Sequence, residues 1–270
     1  MASPSTLPLT YQPGKAGALL TALINAYLRR RRPLHDHSFL VLAGHGLAFG
    51  RCPNAASEGI RTALLRLAGA PAGMPGRPRY ATGTLSSWTD GLTLLSGRQL
   101  TRLHPQALVF TVVRDPLTRA ASCFDKLERG VIPPSEHDPV LVNGLDFARF
   151  VSRICATPDW RSANAYRSQT SILAHKNRLL PTRVLRYETA DTDWEALRWE
   201  VAARSDADIG PLPAIADAGE QRIAELTGGL DPALRLALRR RYAADYRAFY
   251  EGTDLAVPVM GPVTGPMKGQ

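Results

Sequence analysis

The segment ALVFTVV, residues 107–113, constrains the fold more than any other stretch of the chain. It is a nearly unbroken apolar run, rich in β-branched residues, without the polar alternation of a strand that faces water on one side. It therefore predicts a strand buried on both faces. The chain leaves it through Arg114-Asp115-Pro116 and enters LTRAASCFDKLERG (117–130), which reads as a helix stopped by Gly130. A doubly buried strand feeding a helix is the unit of an α/β sheet covered by helices.

The rest of the chain keeps that alternation. SFLVLA (38–43) and LAFGRC (47–52), separated by Gly-His-Gly, predict two short strands with a tight link, as in a hairpin. SEGIRTALLRLAGA (57–70) has helical spacing at Ile60, Leu64, Leu65 and Leu67, with Gly69 as its stop. Further helices are predicted over 97–104, 146–156, 160–175 and 192–204, and a strand over 182–188. A long last helix over 231–252 opens at Asp231-Pro232. APAGMPGRP (70–78) and VIPPSEHDPVLVNG (131–144) read as loops. Residues 1–14 read as a loose arm and 253–270 as a Pro/Gly-rich tail. With neither an internal repeat nor a composition break between them, 15–252 reads as one α/β domain with a mostly parallel sheet.

Composition narrows the partners. Only four of the 33 basic residues are Lys (15, 126, 176 and 268), and the net charge is +9. That balance suits phosphate, sulfate, a nucleotide or nucleic acid, although arginine-rich codon usage produces it equally well. Aromatic residues are scarce and not interleaved with the basic ones, which argues against a platform for single-stranded nucleic acid. Cys52, Cys123 and Cys155 are odd in number and lack CxxC spacing, so they indicate neither a disulfide scaffold nor a zinc site and suit a reducing cytoplasm. HDH (35–37) offers two imidazoles with nothing nearby to complete a metal site, and reads as a surface loop. GALLTALINAYL (17–28) falls short of the roughly 20 residues that cross a bilayer. It reads as an amphipathic surface helix whose dipole Arg29–Arg32 complement.

Two strand–turn–helix units carry the candidate chemistry, because a helix N-terminus exposes unpaired N–H groups and a partial positive charge. In GRCPNAASEGIR (50–61), the residues Pro53, Asn54, Ala55, Ala56, Ser57, Glu58 and Gly59 would let backbone approach an anion closely. Taken alone, this turn fits an ordinary strand-to-helix loop as well. It is not a Walker A loop, since GxxxxGK[ST] is absent. In the second unit Arg114 sits at the C-terminal end of the buried strand, where ligands of open α/β sheets bind. Ser122, two helical turns further on, adds a hydroxyl. An Arg fork with a hydroxyl suits a terminal phosphate, and the alternative is a structural Arg paired to a carboxylate.

FTVVRDPLTRAASCFDKL (110–127) closely resembles the 3′-phosphate-binding segment of sulfotransferases of the Golgi carbohydrate and bacterial sulfotransferase family 2 type. These use 3′-phosphoadenosine 5′-phosphosulfate on a P-loop-like fold. GRCPNAASEGIR falls where that family has its 5′-phosphosulfate loop, and RSQTSIL (167–173) where it has a Gln-containing helix. RVLRYET (183–189) resembles its late strand ending in Arg-Tyr-Glu, and YAADYRAFY (242–250) its closing Tyr-x-x-Asp-aromatic helix. The resemblance implies that Arg114 and Ser122 bind the 3′-phosphate, that residues 53–59 with Arg61 wrap the 5′-phosphosulfate, and that Arg186 contributes to the nucleotide site.

Two departures accompany the resemblance. The lysine expected at the bridging oxygen is Asn54, which donates a hydrogen bond but carries no charge, so Arg51 or Arg61 would have to compensate. The His expected shortly before the Gln is missing from NAYRSQ (164–169). Replacement bases are Glu58, Asp125, His45, His137 and His175, while an acidic acceptor such as a phenol would need less help. The expectation is a cytoplasmic, metal-independent sulfotransferase acting on a small molecule, such as a secondary metabolite, or a carbohydrate. It expects neither nucleic-acid nor membrane partners. Two readings stay open beside it. One is a degenerate relative that binds nucleotide without transfer. The other is a metabolite kinase, against which the lack of Walker A and of an acidic Mg²⁺ motif counts.

Overall fold

The computed structural model describes residues 36–69, 87–89, 92–135, 138–205, 207–212 and 219–251. The expected arm, the helix over 17–28 with its arginines, the loop over 70–78 and the tail over 253–270 lie outside these residues.

β5 (Leu108–Val113) is buried at every position, as its apolar run requires. Leu108, Phe110 and Val112 pack on one face with β1 (His37–Leu42), β2 (Leu47–Gly50), α1 (Ser57–Leu67) and α6 (Ala190–Ser205). Val109 and Val113 pack on the other with α2 (Gly97–Leu103), α5 (Gln169–Leu173) and α9 (Ala243–Phe249). A third cluster joins α3 (Pro116–Glu128), α4 (Phe147–Ala156), α7 (Glu220–Gly228) and α8 (Pro232–Arg241).

With β3 (Ser87–Thr89), β4 (Leu92–Ser96) and β8 (Arg183–Arg186), the main sheet runs β3-β4-β1-β2-β5-β8. The chain adopts the expected α/β class, with parallel pairing confined to β2–β5 and β5–β8. The other half is antiparallel, because β1 and β2 form the tight hairpin and β4 and β3 add beyond it. This order brings the C-terminal ends of β2, β4, β5 and β8 and the start of β1 to one edge. Gly50, at that edge, has to be glycine: a Cβ there would stand 2.6 Å from Leu173 Cδ2 and 3.3 Å from Phe39 Cε1.

Two predicted helices are corrected. Residues 160–168 form turns rather than helix, and only α5 and the small hairpin of β6 (Ala174–His175) and β7 (Arg178–Leu179) follow. The cause is competition for carbonyls: Arg119 takes those of Asn164 and Arg167, and Asn54 takes that of Ala165. The last helix splits into α8 and α9 at Tyr242, which is buried and donates its hydroxyl hydrogen to the Tyr166 carbonyl. The predicted strand over 182–188 is shorter, because Tyr187–Thr189 turn into a 3-10 helix.

The turn segment is pinned by Asp159, which accepts from Arg241 Nη2 at 2.6 Å, Ser171 Oγ at 2.7 Å and the Ser168 amide at 3.1 Å, and from the Ser168 hydroxyl. Burial alone would raise its carboxyl, but Arg241 and the two serines outweigh that and hold it at about 2, against an ordinary 3.8. A depressed folded value stabilises above the ordinary value, and that contribution is lost as pH falls toward about 2. Asp159→Asn is therefore expected to lower stability near pH 6 by about 2 kcal/mol and to flatten the acid limb of stability between roughly pH 4 and 2, measured by urea unfolding across pH.

Candidate functional site

The loop leaving β2 is built on an unusual backbone. Asn54 and Ala56 both have left-handed φ, 66° and 56°, although neither is glycine. Alternation of left-handed residues points successive N–H groups to one side, the geometry of an anion-binding nest. Ala56 ends the loop as the N-cap of α1 and supplies no side-chain cap. By contrast α2, α3, α4, α5 and α8 are capped by Ser96, Asp115, Asp146, Ser168 and Asp231. The N–H groups of Ser57, Glu58 and Gly59 thus open α1 without a side-chain acceptor at its cap.

Three buried side chains fix this loop. Arg119, 1% exposed on α3, donates from Nε to the Pro53 carbonyl at 2.9 Å, and from its two terminal nitrogens to Arg167 and Asn164 at 2.8 and 2.9 Å. Asn54 is buried and donates Nδ2 to the Ala165 carbonyl at 3.0 Å, so its amide serves the loop's shape. Arg114, 4% exposed, lies 4.0 Å over the Tyr187 ring and reaches the Asn54 carbonyl at 3.5 Å. Cys52 and Cys123 are buried beside them, and burial pushes both thiols up to about 12, which keeps them protonated.

Arg114 is held from its backbone. Gln169 accepts the Arg114 N–H at 3.0 Å and donates to the Arg114 carbonyl at 2.9 Å. Asp245 in turn accepts the N–H groups of Gln169 and Thr170 and the Thr170 hydroxyl, each at 2.8 Å. Burial raises the Asp245 carboxyl, and the hydrogen bonds from Thr170 and Gln169 and the charge of Arg119 oppose that. The next residue, Asp115, caps α3 and donates its N–H to Glu188 at 2.8 Å. Burial pushes Glu188 up as well. Ser122 is fully buried two turns into α3.

The other candidates fall as follows. Arg51 continues directly from β2, and its N–H bonds the Ser38 carbonyl at 2.7 Å. Arg61 grips Glu58 at 2.7 Å, with the Glu58 side chain 74% exposed. Arg186 lies 5.5 Å over the Tyr250 ring, beside the strand end that carries Glu188. Asp125 pairs with Arg129 at 2.7 Å and packs under Gly219, away from the loop. His45 sits in the β1–β2 link, at the opposite edge of the sheet. His175 packs against Gly97 in the β6–β7 hairpin, and His137 lies outside the described residues.

The segments carrying Gln169, Asp245, Tyr187, Glu188 and Arg119 were all legible as parts of the resemblance, but their sequence assigned none of these five side chains a contact. The available signal for Arg119 was an arginine inside the small-residue stretch Arg119-Ala120-Ala121-Ser122-Cys123, which the helix buries completely. Among the described residues no helix is long and apolar enough to cross a membrane.

Arg119→Lys should expose the importance of the fork: lysine cannot reach three separate carbonyls, and unfolding free energy should drop by about 2–4 kcal/mol in a urea titration. A midpoint equal to that of the native protein would contradict this role.

The family model described as the sulfotransferase family matches residues 37–251. No curated protein and no solved structure matches the chain.

Proposed function

From the premise that the chain belongs to the sulfotransferase family, a family of transferases, we propose that it moves a sulfuryl group from 3′-phosphoadenosine 5′-phosphosulfate to a hydroxyl of a small molecule or carbohydrate. The observation that carries the donor assignment is the pairing, at one sheet edge, of an uncapped helix start after a left-handed loop with a buried arginine at the next strand end. The residues fit such a donor. The Ala55 N–H is spent on the Cys52 carbonyl at 3.2 Å, so the backbone N–H groups of Ser57, Glu58 and Gly59 would take the 5′-phosphosulfate, while Arg114 and Ser122 would take the 3′-phosphate, with Arg186 at the rim. The donor brings an activated sulfuryl group, whose transfer, like phosphoryl transfer, asks for positioning and positive charge rather than covalent help.

Asn54 does not supply that charge, and Arg61 is already matched by Glu58. The lysine's work accordingly falls to Arg51, which opens the loop. Support for the division between the two arginines comes from their settings: Arg114 is buried and stacked on Tyr187, as a ground-state phosphate clamp should be, whereas Arg51 directly follows β2 at the start of the loop that would hold the phosphosulfate. The reading places the reaction in a cytoplasmic, metal-independent enzyme.

The test is calorimetric. Arg114→Ala should lower the thermal melt, because it removes a buried side chain stacked on Tyr187, and should weaken adenosine 3′,5′-bisphosphate at least about tenfold at a temperature where the variant is still folded. Unchanged affinity would remove Arg114 from the donor site and with it this assignment.

A further inference from the structure

A cleft of about 270 Å³ opens one strand away from the donor loop, lined by His37, Ser96, Arg98, Gln99 and Arg102. We propose that this cleft receives an anionic group of the acceptor, a carboxylate, phosphate or sulfate, and so restricts the enzyme to acidic acceptors; the inference rests on the donor reading given above.

Its position follows from sheet register. β1 lies between β4 and β2, with His37 paired to Ser96 on one side and Phe39 paired to Gly50 on the other. The Arg51 N–H on the Ser38 carbonyl closes the same edge. Neighbouring strands lie about 4.8 Å apart, so the cleft floor at Ser96 is about 10 Å, two spacings, from the strand that leads into the donor loop. An acceptor of one ring and a short linker spans that distance, with its hydroxyl at the loop and its acid in the cleft.

The lining selects for negative charge. Arg98 and Arg102 stand four apart on α2, both exposed, and neither has an ion-pair partner among the described residues. Arg61, Arg129 and Arg241 instead each hold a carboxylate at 2.6–2.7 Å. His37 Nδ1 is buried at the cleft and closes no hydrogen bond of its own, with the Gln99 side chain and the Asp36 charge beside the ring. Ser96 and Gln99 are spent on each other: Gln99 Oε1 accepts from the Ser96 N–H and hydroxyl at 2.8 Å, and Ser96 Oγ accepts the Gln99 N–H at 3.3 Å. That capping box fixes α2 and leaves two guanidinium groups and one imidazole as the groups that would meet a ligand. Asp36, beside His37, is engaged by Arg167 at 3.6 Å.

The test follows the His37 ring by NMR in protein saturated with adenosine 3′,5′-bisphosphate, during titration with 3-(4-hydroxyphenyl)propanoate or with the neutral 3-(4-hydroxyphenyl)propan-1-ol. The carboxylate is expected to move the His37 resonances and to bind at least about fivefold more tightly than the alcohol. Arg98→Gln/Arg102→Gln should abolish that preference without changing the affinity for the bisphosphate. Equal affinities, a silent His37 ring or a preference that survives the double substitution overturns the proposal. Failure of the bisphosphate to saturate the native protein is seen in the first titration and overturns the donor reading itself, along with the inference built on it.

Discussion

One buried guanidinium organises the site. Arg119 sits inside the protein with three carbonyls around it, one from the loop after β2 and two from the turns before α5. A charge in that position is tolerable only while every donor is satisfied, which makes the arrangement stiff. It welds two segments that are distant in sequence, 53–54 and 164–167, at the edge where the parallel strands end. The left-handed conformations of Asn54 and Ala56 cost free energy in isolation and persist because this network over-determines them.

A second chain of contacts starts from Asp245. Its carboxylate covers the N-terminus of α5, α5 presents Gln169, and Gln169 clamps the backbone of Arg114 on both sides. Tyr187 then stacks on the guanidinium, while Glu188 holds the following turn. The cation that would meet the 3′-phosphate is thus placed by residues from the 3-10 helix after β8, α5 and α9, and its side chain has little freedom left to lose on binding.

How much of this the sequence disclosed depends on whether the determining contact is local. The strand over 107–113 and the helix after it were legible because burial on two faces and a Pro-Gly frame are written in consecutive residues. The loop at 50–61 was legible as a possible anion cradle, and Arg114 as its partner. The helix expected over 160–175 failed because its carbonyls are claimed by Arg119 and Asn54, from more than forty positions away. The break at Tyr242 has the same origin, in a hydroxyl that bonds residue 166. HDH read as a surface loop, yet Asp36 pairs with Arg167 and His37 begins β1 and lines a cleft whose floor at Ser96 lies two strands from β2, a placement set by strand register that no local pattern records.

If the proposed function holds, two strand ends form the two halves of one nucleotide site. A crystal structure of the protein with adenosine 3′,5′-bisphosphate tests it most directly. The 3′-phosphate is expected against Arg114 and Ser122, and the 5′-phosphate on the N–H groups that open α1. A nucleotide bound elsewhere, or turned end for end in this site, would contradict it.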